Sequence, residues 1–97
     1  MTHYCIYQIN DAKDDNKVRY CTYKEVIAKQ DKIDLTIYDK VYEFTQPLDD
    51  LEDIMVTIVP YGCVSLGDIV VVLDSDKIEK GTYYRDNIGW KKLVRGR

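Results

Sequence analysis

The sequence predicts an α+β fold: an antiparallel sheet of about five strands with two short helices packed on it, as a single domain over residues 1–97. Three observations carry this expectation. Stretches of aromatic and β-branched residues recur at strand length, from His3–Ile9 near the start to Ile69–Leu73 and Thr82–Arg85 near the end. Only two segments combine helical spacing with a capping residue. A chain of 97 residues with 45% apolar content is large enough for one hydrophobic core and too small for two.

Residues 3–9 read as a first strand, central in the sheet. Asn10–Lys17, with Ala12 its sole apolar residue, reads as an exposed loop, and Val18–Cys21 as a short strand. Thr22 and Glu25 form a capping box, so a helix is expected over about 23–30, with Tyr23, Val26 and Ile27 on one face. Ile33, Leu35 and Ile37 alternate with polar neighbours at the period of a half-buried strand. Val41–Phe44 continues it, directly or across an irregularity at Asp39 and Lys40.

Pro47 stops that strand, and a second helix is expected to begin at the acidic stretch behind it. Asp49 or Asp50 can cap it, with Glu52 or Asp53 three residues on. Leu51, Ile54, Met55 and Ile58 mark one face at i, i+3, i+4 and i+7. Pro60 and Gly62 end it. Ile69–Leu73 is a continuous apolar strand, residues 74–81 a polar turn, Thr82–Arg85 a partner strand, Asp86–Gly89 a tight turn, and Trp90–Val94 a last strand.

Composition excludes several classes. Net charge is −3, but Lys91, Lys92, Arg95 and Arg97 crowd the last residues, so residues 1–90 carry 10 basic against 17 acidic, a net −7. An acidic body with a basic tail argues against nonspecific nucleic-acid binding through a broad basic face; the tail reads as solvated, with a phosphate or acidic-partner contact as the sharper alternative. No apolar run approaches the roughly 20 residues that span a bilayer, and no leader pattern opens the chain, so a cytoplasmic protein is expected. Cys5, Cys21 and Cys63 are odd in number and sit among apolar neighbours, so all three are expected to be buried and structural. With one histidine, His3, and no paired cysteines, no metal or other cofactor is expected.

The segment "GCVSLGDIVVVLD" raises the question of a phosphate loop. That motif needs a lysine and a following helix, whereas here Gly62 and Gly67 are followed by a β-branched strand. Turning points are the better reading, tied by side-chain hydrogen bonds of Ser65 or Asp68. The carboxylates Asp49, Asp50, Glu52 and Asp53 favour helix capping over metal binding, with an acidic recognition face as the functional alternative. His3 lacks a local partner for base catalysis, and Cys63 lacks an adjacent base, so no catalytic residue is assigned. Among nine tyrosines most belong to the sheet, and Tyr38, Tyr42, Tyr83 and Tyr84 are the ones expected to be exposed on a partner-binding patch.

Three pieces, "VYEFTQPLDDLEDI", "GCVSLGDIVVV" and "TYYRDNIGWKKL", resemble the YodL-like domain, a small bacterial domain also carried by phage and mobile elements. They span about residues 38–93, and the opening "YCIYQI" extends the likeness. The resemblance implies a fold and a mobile-element setting, with no catalytic residues to carry over.

The functional expectation is a small non-enzymatic regulator that binds a host protein. Its model is a phage or mobile-element inhibitor of a defence nuclease, of anti-CRISPR or anti-restriction type, whose acidic face occupies a basic nucleic-acid channel. Asp49, Asp50, Glu52 and Asp53 would carry it. The alternative is a structural or recruitment domain acting as a homodimer through a sheet edge or within a larger assembly. Direct nucleic-acid and membrane contacts are not expected.

Overall fold

The computed structural model describes residues 1–56, 58–59 and 62–93. Their main feature is a five-stranded antiparallel sheet. In chain order the strands are β1 (Thr2–Ile9), β2 (Tyr38–Gln46), β3 (Ile58–Val59), β4 (Gly62–Cys63), β5 (Ile69–Ser75), β6 (Gly81–Arg85) and β7 (Trp90–Leu93). The sheet order is β2-β1-β5-β6-β7, and β3 pairs with β4 as a separate two-residue ladder. The first strand is therefore internal, one step from the central β5. The last strand is found as expected up to Leu93, while Val94, Arg95 and Arg97 lie outside the described residues.

Alternation along the strands builds two cores, one on each face. Tyr4 and Ile6 of β1, Val70 and Val72 of β5, and Tyr83 of β6 pack with Leu48, Leu51, Ile54, Val59 and Val64 from the segment between β2 and β5. On the other face Ile9, Ile69 and Tyr84 pack with Val18 and with Val26 of helix α1 (Tyr23–Gln30). Both faces of the sheet are thus covered, which explains why β5 reads as a continuous apolar run rather than an alternating one.

Helix α1 starts where its sequence says. Thr22 Oγ1 accepts from the Glu25 amide at 3.2 Å and Glu25 Oε1 from the Thr22 amide at 2.8 Å, satisfying two donors that the helix start leaves free. It ends at Asp31, whose left-handed φ of 68° closes the last turn.

Three expected elements differ. Val18–Cys21 is not a strand: Asp14, itself buried, accepts from the amides of Val18 and Arg19, and Lys17 and Tyr20 both take positive φ. Local side-chain acceptors there replace a strand partner. Leu35–Ile37 is a turn of 3-10 helix, because Asp34 takes the Thr36 amide at 3.0 Å, and the strand begins only at Tyr38. The second helix is a single 3-10 stretch, Leu51–Val56, with Ile58 already in β3. In 3-10 geometry side chains at i and i+3 eclipse, so Leu51 and Ile54 both reach the core while Glu52 and Asp53 stay in solvent.

The irregularity near Lys40 is a bulge. Ile6 pairs with Tyr42 but Tyr7 pairs with Lys40, leaving Val41 as the extra residue.

Candidate functional site

The acidic stretch forms an exposed, internally braced turn. Asp53 Oδ2 accepts from the amides of Asp49 at 2.9 Å and Asp50 at 3.3 Å, and Asp50 Oδ1 accepts from the Glu52 amide at 2.9 Å. Capping thus accounts for two of the four carboxylates. The other two are paired. Lys77 Nζ meets Asp49 at 2.7 Å, and Glu52 Oε2 accepts from both Arg85 and Trp90 Nε1 at 2.9 Å each. Asp50 and Asp53 have no basic partner among the described residues, so the turn retains a net negative charge held in fixed positions. Its fold-back onto β6 and β7 through Arg85 and Trp90 was not legible in the sequence, since those residues lie far along the chain.

The four tyrosines assigned to an exposed patch are not exposed. Tyr84 and Tyr83 are buried, on opposite faces of β6. Tyr38 and Tyr42 are half-buried, on the two faces of β2, and pack against the two cores. Each of three hydroxyls has a backbone acceptor: Tyr38 donates to the Gly67 carbonyl at 2.7 Å, Tyr84 to that of Cys21 at 2.6 Å, and Tyr83 to that of Glu79 at 2.5 Å. These phenols act as struts between sheet and loops, because a buried hydroxyl needs a partner and loop carbonyls are the free acceptors. Burial pushes the Tyr38 and Tyr84 hydroxyls far above the usual tyrosine range, with neighbouring acidic groups adding to it. Among the described residues the exposed aromatics are instead Tyr20 and Phe44.

The glycine segment serves the fold. Gly67 sits at φ +93°, and a Cβ there would lie 3.4 Å from the Tyr20 amide nitrogen and 3.6 Å from the Tyr84 hydroxyl. Beside it, Asp68 Oδ2 accepts from the Ser65 amide at 2.9 Å and from Gln8 Nε2 at 3.0 Å, so the expected tie of this turn is made by Asp68. Its carboxyl is buried, which raises its pKa, while the bonds from Gln8 and Ser65 and the Arg19 guanidinium oppose the rise. The turn at Asp68 leads into β5, not into a helix, and a phosphate cradle of the loop-to-helix kind is thereby ruled out for this segment.

Of the three cysteines only Cys5 is buried; Cys21 is half-buried and Cys63 is exposed on β4. That strand is two residues long, and it is the adjacent Val64 that enters the core while Cys63 stays in solvent. His3 has a partner after all, and it lies across the sheet: Glu43 Oε2 at 2.7 Å from His3 Nε2, with Lys40 Nζ on the other carboxylate oxygen at 2.7 Å. The carboxylate of Glu43 is held below its usual range by Lys40 first and His3 second. Among the described residues, no group of three or more His, Cys, Asp or Glu side chains is placed to hold a metal ion, and no helix is long and apolar enough to cross a membrane.

A family model, the YodL-like domain, matches residues 3–95, a range that takes in the strand before Pro47, the acidic turn, the glycine segment and the paired tyrosines. The chain belongs to the YodL-like domain family. No curated protein and no solved structure matches it. The match includes β1 as well as the region from β2 onward, so in this YodL-like domain the first strand and α1 are parts of the family unit rather than additions to it.

Proposed function

We propose that this YodL-like domain is a small protein-binding regulator whose partner presents a basic surface, and that the partner is a nucleic-acid-handling enzyme of a host defence system. The observation that carries this reading is the acidic turn. It exposes Asp49 and Asp50 just before, and Glu52 and Asp53 within, a short 3-10 helix anchored in the core by Leu51 and Ile54. Carboxylates fixed by backbone bonds lose little freedom on binding, and a negative surface steers approach to a channel built for phosphates. The body charge of −7 over residues 1–90 acts in the same sense. The mobile-element setting that the resemblance implies fits an inhibitor of a defence nuclease, acting by occupying the nucleic-acid channel. The buried tyrosines take no part.

The test compares the wild-type chain with a variant carrying Asp49→Asn, Asp50→Asn, Glu52→Gln and Asp53→Asn, substitutions that keep acceptor atoms for the caps. A control neutralises the exposed Asp15 and Asp31 in the other loops. Binding to a panel of purified CRISPR and restriction nucleases is measured with and without DNA as competitor. The reading expects salt-dependent binding to a panel member that DNA displaces, that the quadruple variant loses and that the control keeps. It is abandoned if the quadruple variant binds every responding nuclease as the wild type does.

A further inference from the structure

Among the described residues β2 is an open edge: it pairs with β1 on one side and with nothing on the other. Its two halves differ. The first half carries Asp39 and Lys40 and ends in the Val41 bulge, both features that blunt an edge against pairing. The second half, Tyr42–Gln46, runs in regular register against Thr2–Ile6 and has one charged residue, Glu43. Phe44 stands in its middle with half of its surface exposed, next to the Tyr42 ring at 6.0 Å, which in turn lies 6.1 Å from Tyr4. A regular, nearly uncharged strand with an exposed aromatic ring is the kind of edge that recruits another strand.

We infer that this half-strand pairs with the same half-strand of a second copy, antiparallel, across a two-fold axis through Phe44. Three facts set the register. A two-fold axis normal to a continuous sheet sets residues of the same face opposite one another, so the axis passes through a residue and not between two. An axis through Glu43 puts two carboxylates face to face, and one through Tyr42 draws in the bulge at Val41. An axis through Thr45 shortens the ladder, because Pro47, which has no amide hydrogen, comes directly after Gln46. With the axis on Phe44, the two Phe44 rings meet, Glu43 stands opposite Thr45 of the second copy, and Tyr42 opposite Gln46. No like charges meet, and the exposed ring is covered. The inference rests on β2 alone and is independent of the acidic turn.

The experiment is light scattering of the whole chain across a concentration series. Wild type is expected to rise from 11.4 kDa toward twice that mass. Phe44→Lys places two ammonium groups on the axis and should stay at 11.4 kDa. Because Phe44→Lys also touches Tyr42 packing, the deciding pair is at the exposed Thr45. Thr45→Glu sets a carboxylate against Glu43 of the second copy twice and should lose the dimer, whereas Thr45→Lys supplies an opposite charge and should keep or strengthen it. Circular dichroism checks that each variant is folded. A wild type that stays at the monomer mass, including one that pairs with added strand peptides instead, overturns the inference, as does a dimer on which Thr45→Glu and Thr45→Lys act alike.

Discussion

The side-chain amide of Gln8 donates to the carboxylate of Asp68 at 3.0 Å in the interior, joining β1 to the turn that leads into β5. Gln8 Oε1, equally buried, has no hydrogen-bond partner among the described residues. Asp68 is therefore a charge that the fold tolerates through few partners, and burial raises its pKa above the ordinary 3.8. A raised folded-state value means that the stabilising form is the protonated one. That contribution is complete below pH 3.8 and is lost as pH rises through the higher folded value. Asp68→Asn, which cannot ionise, should therefore become more stable relative to wild type as pH goes from below 3.8 to neutral. Urea unfolding of both proteins at the two ends of that range reads the difference. Because Asp34, Glu43 and Asp76 are shifted downward and give the opposite slope in both proteins, the comparison between them isolates Asp68. A difference that is constant with pH would refute the assignment.

The phenols of Tyr38 and Tyr84 resist ionisation because both are buried and bonded to carbonyls. Their neutral forms stabilise the fold at ordinary pH, and that contribution fades only as pH climbs toward their raised values. An alkaline titration followed by tyrosinate absorbance should show these two rings ionising only with loss of the fold, in a late cooperative step. In a Tyr38→Phe, Tyr84→Phe double variant that step should lose the part of its tyrosinate amplitude that these two rings supply, leaving that of the other buried tyrosines, Tyr4 and Tyr83. Tyr84→Phe alone should lower stability by about 1 kcal/mol, the typical net value of one hydrogen bond.

Ile54 is fully buried on a helix of only six residues, so its packing, not helix propensity, holds the acidic turn in place. Ile54→Ala should cost about 2–5 kcal/mol by chemical denaturation, as deletion of buried methyl groups does. Thr22→Ala should cost about 1 kcal/mol through loss of the α1 cap, and Glu25→Gln less, because the amide can still accept from the Thr22 backbone.

Trp90, the single tryptophan, donates to Glu52 and lies 5.4 Å from the Arg85 guanidinium, which makes its fluorescence a report on how the acidic turn docks. Glu52→Ala should shift the emission while lowering stability by less than about 1 kcal/mol, since the ion pair is partly exposed. Glu52→Gln, which retains an acceptor, should leave the emission near that of wild type. Equal shifts in both variants would show that the hydrogen bond is not what fixes the ring.

The parts of the fold that were legible in the sequence are those dictated by local chemistry. The capping box placed α1, and the apolar run and paired tyrosines placed β5 and β6. Misreadings came where a nearby carboxylate competed for backbone amides. Asp14 turned Val18–Arg19 away from a strand, and Asp34 made a 3-10 turn of a stretch with strand alternation. The tyrosines misled for another reason. A period of two assigns Tyr83 and Tyr84 to opposite faces, but it does not say that both faces are covered.

By itself, then, the sequence determined the class of fold, the helix start, the apolar centre of the sheet and the family, because each depends on residues close together in the chain. Only the tertiary structure decided that β2 lies at the edge with Phe44 open, that Asp68 meets Gln8, and that Glu52 reaches Arg85 and Trp90. Those facts depend on strand order and on which layer covers which face. Both are set by burying the most apolar area at once, a property of the whole chain rather than of any stretch of it.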